Sequence, residues 1–270
     1  MFQHVVVPVD DSEAAWRAVP IAARMAAAVD GALDVVTVVD RVEAIENERS
    51  SMRTELERLA PLPVDVHVDV LVHDSIASAI AGHVESRNGA IVVMSSHGHG
   101  RSASVLGSTT DDVLRELYGP VVVIGPHASD DSGALGGHYV VPLDGSDLAE
   151  SILPIVSAWA VEFGGTPWLV EVIEPAAQTP SDMQDSAYVG RRAREMQRQS
   201  GHEVQYEAVH HKHPAETITD FADKQQASFV FATTHGRTGM ARLRSGSVAA
   251  DIVRRAGCPV VLHRPPHLVE

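Results

Sequence analysis

The stretch HVVVPVDDSEAA, from His4 to Ala15, decides the fold because the chain contains it twice. The second copy, HYVVPLDGSDLA, runs from His138 to Ala149, and Asp144 corresponds to Asp10. Each copy is a valine-rich run that ends at an aspartate and continues into a segment typical of a helix. The duplication predicts two domains of the same fold.

Two further pairs of segments follow in the same order in both halves. SSHG, ending at Gly98, matches TTHG, ending at Gly236, and GSTTDDVLRELYGPVVV from Gly107 matches GSVAADIVRRAGCPVVL from Gly246. The segment between the halves, GPHASDDSGALGG, is rich in Gly, Ser and Asp and is typical of an exposed connection. We predict a first domain at 1–126, a linker at 127–137 and a second domain at 138–270.

Within each half, short β-branched runs alternate with helical stretches. The apolar runs lie at 5–9, 33–39, 64–72, 91–94 and 121–124, and then at 139–143, 168–173, 204–209, 229–232 and 260–263. The helical stretches of the first half lie at 14–29, 46–59, 75–85 and 111–118. Near-continuous valine and isoleucine strands separated by helices are typical of parallel sheets buried on both faces. The sequence therefore predicts an α/β fold of two tandem Rossmann-like domains, each a five-stranded parallel sheet with helices on both faces.

Composition excludes several classes of function. A formal net charge of −15 disfavours nucleic acids and anionic membrane surfaces as partners. No apolar stretch approaches the ~20 residues of a membrane-spanning helix, and the amino terminus lacks the pattern of a signal peptide. Lysine occurs only at Lys212 and Lys224, so a phosphate-binding loop of the GxxxxGK[ST] type is absent. With Cys258 as the single cysteine, we expect a cytoplasmic protein without disulfides.

The ends of the strands are the expected place for a ligand. In open α/β sheets, ligands bind beyond the carboxyl ends of the strands where the strand order reverses. Asp10 and Asp144 end first strands and Gly98 and Gly236 follow fourth strands, so they converge if strands one and four are neighbours. Each aspartate has two readings: it caps the following helix, or it accepts hydrogen bonds from a ribose hydroxyl or a base amine.

The Gly-Ser pairs at Gly107-Ser108 and Gly246-Ser247 introduce helices. Glycine lets backbone amides approach a ligand closely, and a helix amino terminus presents N–H groups that bind phosphate. The serine hydroxyls have two readings as well, because they could cap the helices or donate to a phosphate oxygen.

Over nearly its whole length the chain resembles a tandem universal stress protein. The most specific family pattern is a glycine, two residues, a glycine, nine residues, and then glycine with Ser or Thr. The second half agrees from Gly236 to Gly246-Ser247, with Thr233 at the first glycine position. The first half has Ser95 at that position and only eight residues between Gly98 and Gly107.

The resemblance implies an adenine nucleotide alpha hydrolase-like fold that binds adenine nucleotide, namely ATP with or without Mg²⁺. By position it implicates Pro8, Asp10, Val38, Gly98, Gly107, Ser108 and Thr109 in the first half, and Pro142, Asp144, Val172, Thr233, Gly236, Gly246, Ser247 and Val248 in the second. It also implies that the last strands of the halves pair across a pseudo-twofold axis, so that one chain imitates a dimer. Further association into a homodimer and binding of unidentified protein partners are compatible with it.

Two alternatives to nucleotide-dependent regulation stay open, and two others are disfavoured. A protein of the same fold that acts only through protein contacts stays open, and so does slow ATP hydrolysis, although no catalytic residue is assignable. A hydrolase triad is disfavoured because neither half has GxSxG at a strand-to-helix elbow. The histidines of VHHKHP, His210 to His213, favour a solvated loop over a metal site because too few ligands face one side.

Overall fold

Strands and helices alternate along the whole chain in the computed structural model. It describes residues 2–87, 89–96, 106–117, 119–173, 182–234 and 247–264, without the side chains of 182–187 and 247. The first half contains β1 (His4–Pro8), α1 (Glu13–Trp16), α2 (Ala18–Ala28), β2 (Ala32–Val39), a 3₁₀ turn (Val42–Ala44), α3 (Ile45–Arg58), β3 (Val66–Val72), α4 (Ile76–Glu85), β4 (Ala90–Ser95), α5 (Ser108–Glu116) and β5 (Val121–Ile124).

The second half repeats this order. It contains β6 (His138–Leu143), α6 (Asp147–Glu150), α7 (Leu153–Phe163), β7 (Thr166–Ile173), α8 (Asp182–Ser200), β8 (Gln205–His210), α9 (Pro214–Lys224), β9 (Ala227–Thr233), α10 (Ser247–Arg255) and β10 (Val260–His263). The predicted duplication of an α/β unit is confirmed.

The described strands form one ten-stranded sheet in the order β3-β2-β1-β4-β5-β10-β9-β6-β7-β8. Strands within each half pair in parallel, and β1 lies between β2 and β4 as β6 lies between β7 and β9. The halves meet where β5 and β10 pair antiparallel, with Val122 opposite Val261. The predicted pairing of the last strands is confirmed, and the two five-stranded sheets are therefore one continuous sheet.

The junction between the two halves is fully buried. Every residue of β5 and β10 is buried, so neither strand is an exposed edge. One face of the sheet is covered by α2, α3, α7 and α8, where Tyr139, Trp159, Phe229 and Phe231 form an aromatic cluster. The opposite face is covered by α4, α5, α9 and α10. No helix in the described part of the chain is both long and apolar enough to cross a membrane.

The first helical region differs from the prediction of one helix at 14–29. It consists of α1, which ends at Trp16, and α2, which begins at Ala18. Pro20 has no N–H with which to donate to the carbonyl of Trp16, so a continuous helix would lack that bond. The break lets α2 pack along the sheet independently of α1.

The linker packs against the first half more closely than its composition predicts. Ala128 and Leu135 are buried, whereas the polar residues at 129–131 are exposed. Arg17 donates through Nη2 to the carbonyl of Ala128 at 3.0 Å, and Arg24 donates through Nε to the carbonyl of Ser132 at 2.7 Å. Two apolar anchors and two guanidinium groups therefore hold the connection against α2.

Candidate functional site

A cavity of about 310 Å³ lies at the carboxyl ends of β1, β2 and β4, against the amino terminus of α5. Its walls combine the strand ends with one side of α4 and the first turn of α5. The predicted residues of the first half that the structure describes all line it: Pro8, Asp10, Val38, Gly107, Ser108 and Thr109. Gly98 lies outside the described residues. The cavity thus occupies the reversal of strand order, where β1 separates β2 from β4.

Asp10 shapes the turn between β1 and α1. Its Oδ1 accepts hydrogen bonds from the backbone N–H of Ser12 at 3.0 Å and from the Ser12 hydroxyl. Ser12 in turn caps α1 by accepting from the N–H of Ala15 at 3.2 Å, and Trp16 Nε1 donates to the carbonyl of Asp10 at 2.9 Å. Ser12 is therefore the cap, and Asp10 orients it while exposing carboxylate oxygen at the cavity rim.

The second half builds the same turn from equivalent residues. Asp144 Oδ1 accepts from the N–H of Ser146 at 3.0 Å and from its hydroxyl at 2.6 Å, and Ser146 caps α6 by accepting from the N–H of Ala149 at 3.2 Å. The repeated Asp-x-Ser turn fixes each aspartate at the end of the central strand of its half.

The amino terminus of α5 is joined directly to the end of β4. Gly107 donates its N–H to the carbonyl of Ser96 at 2.9 Å, and the Thr110 hydroxyl donates to the carbonyl of Ser95 at 3.3 Å. Gly107 is the N-cap residue and Ser108 the first residue of the helix, so the reading of Ser108 as the cap is wrong. No side chain caps this terminus through the N-cap position, and its first turn faces the cavity with the positive end of the helix dipole.

Apolar side chains complete the cavity between these polar ends. Val36, Ile80 and Met94 are buried, and Ile76 lies beside them on α4. Sequence reasoning missed the two isoleucines as cavity residues, although their i, i+4 spacing on α4 signals one shared helix face. The site therefore has an apolar slot with a carboxylate on one side and an anion-favouring helix terminus on the other.

The equivalent residues of the second half occupy matching elements. Pro142 and Val172 lie on the paired strands β6 and β7, and Thr233 ends β9 opposite His263 of β10. Val248, in α10, is exposed. Gly236 and Gly246 lie outside the described residues, as does the side chain of Ser247, the first residue of α10. Among the strand positions that line the first cavity, Thr37 of β2 has Glu171 of β7 as its counterpart in the second half.

The histidine-rich segment after β8 is solvent exposed. The rings of His211 and His213 are 5.5 Å apart, and the N–H of His213 donates to Nδ1 of His211 at 3.3 Å. Among the described residues, no group of three His, Cys, Asp or Glu side chains could hold a metal ion. His97 and His235, which precede the loop glycines, lie outside the described residues.

The model of the universal stress protein family matches residues 1–125 and 137–264, so the chain belongs to this family. The universal stress protein Rv1996 of Mycobacterium tuberculosis (strain ATCC 25618 / H37Rv) is 27% identical over 215 residues, which are 73% of this chain and 65% of that protein. This chain therefore covers less than two thirds of that relative's length.

Solved structures agree on the fold. A universal stress protein from Archaeoglobus fulgidus DSM 4304 aligns over 97% of this chain and 98% of its own, with a TM-score of 0.69 and 18% identity. A shorter universal stress protein from Archaeoglobus fulgidus, solved in complex with dAMP, aligns over 47% of this chain and 96% of its own, with a TM-score of 0.38 and 24% identity.

Proposed function

We propose that this chain is a regulatory protein of the cytoplasmic stress response that binds adenine nucleotide, ATP in the first instance, in the clefts at the strand ends. Regulation follows from occupancy rather than turnover, through changed contacts with protein partners. The observation that supports the proposal most directly is the cavity in which Asp10, an apolar slot and the α5 amino terminus meet. At about 310 Å³ its volume is at the lower end of small-molecule sites.

Each part of the cavity has a matching part of the nucleotide. The amino terminus of α5, with Gly107, Ser108 and Thr109, suits a phosphate because backbone N–H groups and the helix dipole both favour anions. The Asp10 carboxylate suits a ribose hydroxyl, and the slot beside Val38 suits the flat base. Mg²⁺ would bind together with the nucleotide, because this ion is usually held by phosphates and one or two carboxylates.

A charge placed at the α5 terminus tests the proposal without endangering the fold. In Ser108→Asp the new carboxylate interacts favourably with the helix dipole, so we expect the protein to stay folded. The same carboxylate repels a phosphate, so we expect ATP binding to be at least about tenfold weaker. Ser108→Asn, similar in size and uncharged, is the matched control and should lose much less. Ser247→Asp makes the same change in the second half, so comparison of the two single variants shows which half binds ATP.

Isothermal titration with ATP, AMP and GTP measures the affinity, and anion-exchange chromatography of heat-released nucleotide identifies any bound ligand. Thermal melting verifies that each variant is folded. Absence of co-purified and titratable nucleotide, or wild-type binding by a Ser108→Asp/Ser247→Asp double variant, would contradict the proposal. The protein would then act through contacts alone. Release of phosphate above the buffer rate would instead support slow hydrolysis.

A further inference from the structure

The linker between the two halves is held in place by side chains of the first half. Arg17 donates through Nη1 to the carbonyl of Pro126 at 3.3 Å and through Nη2 to the carbonyl of Ala128 at 3.0 Å. Arg24 donates to two further carbonyls of the same segment through Nε and Nη2. We call residues 126–132 the strap, because two guanidinium groups hold its main chain against the first half.

The strap also contacts the second half. The N–H of Ser129 donates to the carbonyl of Gly257, just beyond α10, at 2.9 Å. Gly125, immediately before the strap, lies so close to the carbonyl of Val253 in α10 that a Cβ has no room there. The strap therefore joins the first half to the carboxyl-terminal end of α10, the helix that begins at Ser247.

Arg17 lies at the junction between α1 and α2, where it is the C-cap residue of the one and the N-cap residue of the other. Its neighbour Trp16 donates through Nε1 to the carbonyl of Asp10 at 2.9 Å, and Asp10 lines the proposed nucleotide cleft. Two consecutive residues thus connect the cleft with the strap, because Trp16 holds the Asp10 turn and Arg17 holds the strap.

Helix α1 has open space on one side. It spans only four residues, Glu13–Trp16, and a cavity of about 500 Å³ lies between it and α3. Asp10 of the turn, Arg17 of the junction and Asp130 of the strap line the same cavity. Elements with little packing are those that open locally while the rest of a protein stays folded. The turn, α1 and the strap are therefore placed to open together.

The second half differs at both connecting positions. Ser151 stands at the position of Arg17, and Glu150 stands at that of Trp16. The Glu150 side chain has no N–H to donate, and it accepts hydrogen bonds from two side chains of α8 instead. The connection between cleft and strap is therefore a feature of the first half.

We propose that the strap responds to occupancy of the first cleft, staying closed while a nucleotide holds the Asp10 turn and opening more often when the cleft is empty. This inference rests on the proposed nucleotide binding. A ligand that binds only the closed turn makes the open state rarer, because it stabilises one state of the equilibrium and not the other. Opening releases the contacts with α10, so it changes the surface that a protein partner meets between the halves.

Hydrogen–deuterium exchange of the strap, followed by mass spectrometry with and without ATP, tests this inference. The N–H groups of Ala128, Ser129 and Ser132 are hydrogen bonded, so their exchange measures opening of the strap. Isothermal titration of the same preparation gives the dissociation constant of ATP. At ten times that constant, a ligand that binds only the closed state makes opening about 11-fold rarer, so we expect about tenfold slower exchange.

Arg17→Gln and Arg24→Gln form a matched pair, since each removes one guanidinium that holds the strap. Both variants should exchange faster than wild type without ATP. Arg24→Gln keeps the connection through Arg17, so ATP should still slow exchange by about tenfold. Arg17→Gln removes the connection, so bound ATP should change exchange by less than about twofold. If Arg17 only fastened the strap, the two variants would respond to ATP alike.

Two outcomes would overturn the inference and leave the proposed function intact. One is ATP binding that Ser108→Asp weakens, with strap exchange in the wild-type protein unchanged by ATP. The other is an equal effect of ATP on Arg17→Gln and Arg24→Gln. Absence of ATP binding, or binding that Ser108→Asp does not weaken, would instead overturn the proposed function of the first cleft together with the inference. Thermal melting verifies that each variant is folded.

Discussion

A buried carboxylate near the amino-terminal ends of β1 and β2 provides the sharpest test of how the first half is stabilised. Asp34 is only 2% exposed. Arg87 Nε lies 2.6 Å from Asp34 Oδ2, and Arg87 Nη2 donates to Asp69 Oδ2 at 3.0 Å. His4 Nδ1 and His83 Nε2 each lie 3.8 Å from the same Asp34 oxygen. One guanidinium and two imidazoles therefore surround one buried charge.

The pKa of Asp34 reflects this environment. Burial raises it, but the interactions with His83, Arg87 and His4 lower it by more, so the pKa lies below its ordinary value of 3.8. A pKa that is lower in the folded than in the unfolded chain contributes stability that is fully present above the unfolded value. That contribution is lost as the pH falls through the folded value.

Substitution Arg87→Gln removes the main partner of this carboxylate. Breaking a buried ion pair by removing one partner typically costs about 3–5 kcal/mol, because an uncompensated charge is left behind. The Arg87 side chain is 26% exposed, so water can enter part of the vacated space. We therefore expect the free energy of unfolding at neutral pH to fall by about 2–4 kcal/mol. The loss should shrink at mildly acidic pH, because without Arg87 burial raises the pKa of Asp34 in the variant, and its protonation then removes the buried charge.

The double variant Asp34→Asn/Arg87→Gln is the decisive comparison. It removes the charge together with its partner, so we expect a protein more stable than Arg87→Gln alone. Urea denaturation followed by far-ultraviolet circular dichroism at neutral and mildly acidic pH measures both effects. If the double variant is less stable than the single one, or if the loss in Arg87→Gln is the same at both pH values, the argument from an uncompensated charge is refuted.

Two further predictions concern backbone packing and the thiol. A Cβ at Gly125 would lie 2.0 Å from the carbonyl oxygen of Val253, so Gly125→Ala should lower the melting temperature sharply. Gly82 lies in α4 with open space around it, so Gly82→Ala should raise the melting temperature, because alanine stabilises a helix interior by about 0.5–1 kcal/mol relative to glycine. Burial and the charge of Asp223 raise the pKa of the Cys258 thiol to about 12, so it should react with a disulfide reagent only after unfolding, and rapid reaction of the folded protein would contradict this.

The strands could be predicted from sequence because both faces of a parallel sheet are buried. Valine and isoleucine then fill successive positions, and the run VVVI at Val121–Ile124 coincides with the whole of β5. The break between α1 and α2 could also have been predicted from the sequence, because Pro20 lies inside the helical stretch and cannot donate a backbone hydrogen bond. The prediction of one helix at 14–29 is wrong because the alanine-rich sequence on both sides of Pro20 favours helix, whereas the missing N–H of Pro20 separates α1 from α2.

A cavity of about 500 Å³ between α1 and α3 could not be predicted from sequence. Its existence depends on side-chain volumes from elements far apart in the chain, namely Ser51 on α3, Trp16 on α1 and Asp130 in the linker. The role of Asp10 was equally undecided, because its pattern fits capping and ligand binding alike. Only the geometry assigns the cap to Ser12, which accepts from the helix N–H while Asp10 orients it.

Comparison of the halves indicates where this fold tolerates change. In the second half, Trp168 stands at the position of Asp34 and Phe221 at the position of His83. The centroids of these two rings are 5.5 Å apart, so aromatic packing takes the place of the charged cluster. A buried ion pair and an apolar cluster are therefore alternative solutions for the same space, as expected when only packing is required. The Asp-x-Ser turn, in contrast, has the same residues and the same hydrogen bonds in both halves.

A Gly-Ser pair also stands at the start of the last helix of each half, with the serine as the first helical residue. Duplicated domains are free to diverge wherever packing alone is required, so features kept in both copies at the strand ends indicate a shared requirement there. A turn that only connected a strand to a helix could be built from many sequences. An Asp-x-Ser turn and a Gly-Ser pair kept in both halves are what a common anionic ligand with hydroxyl groups would require, and they support the proposed nucleotide sites independently of cavity volume.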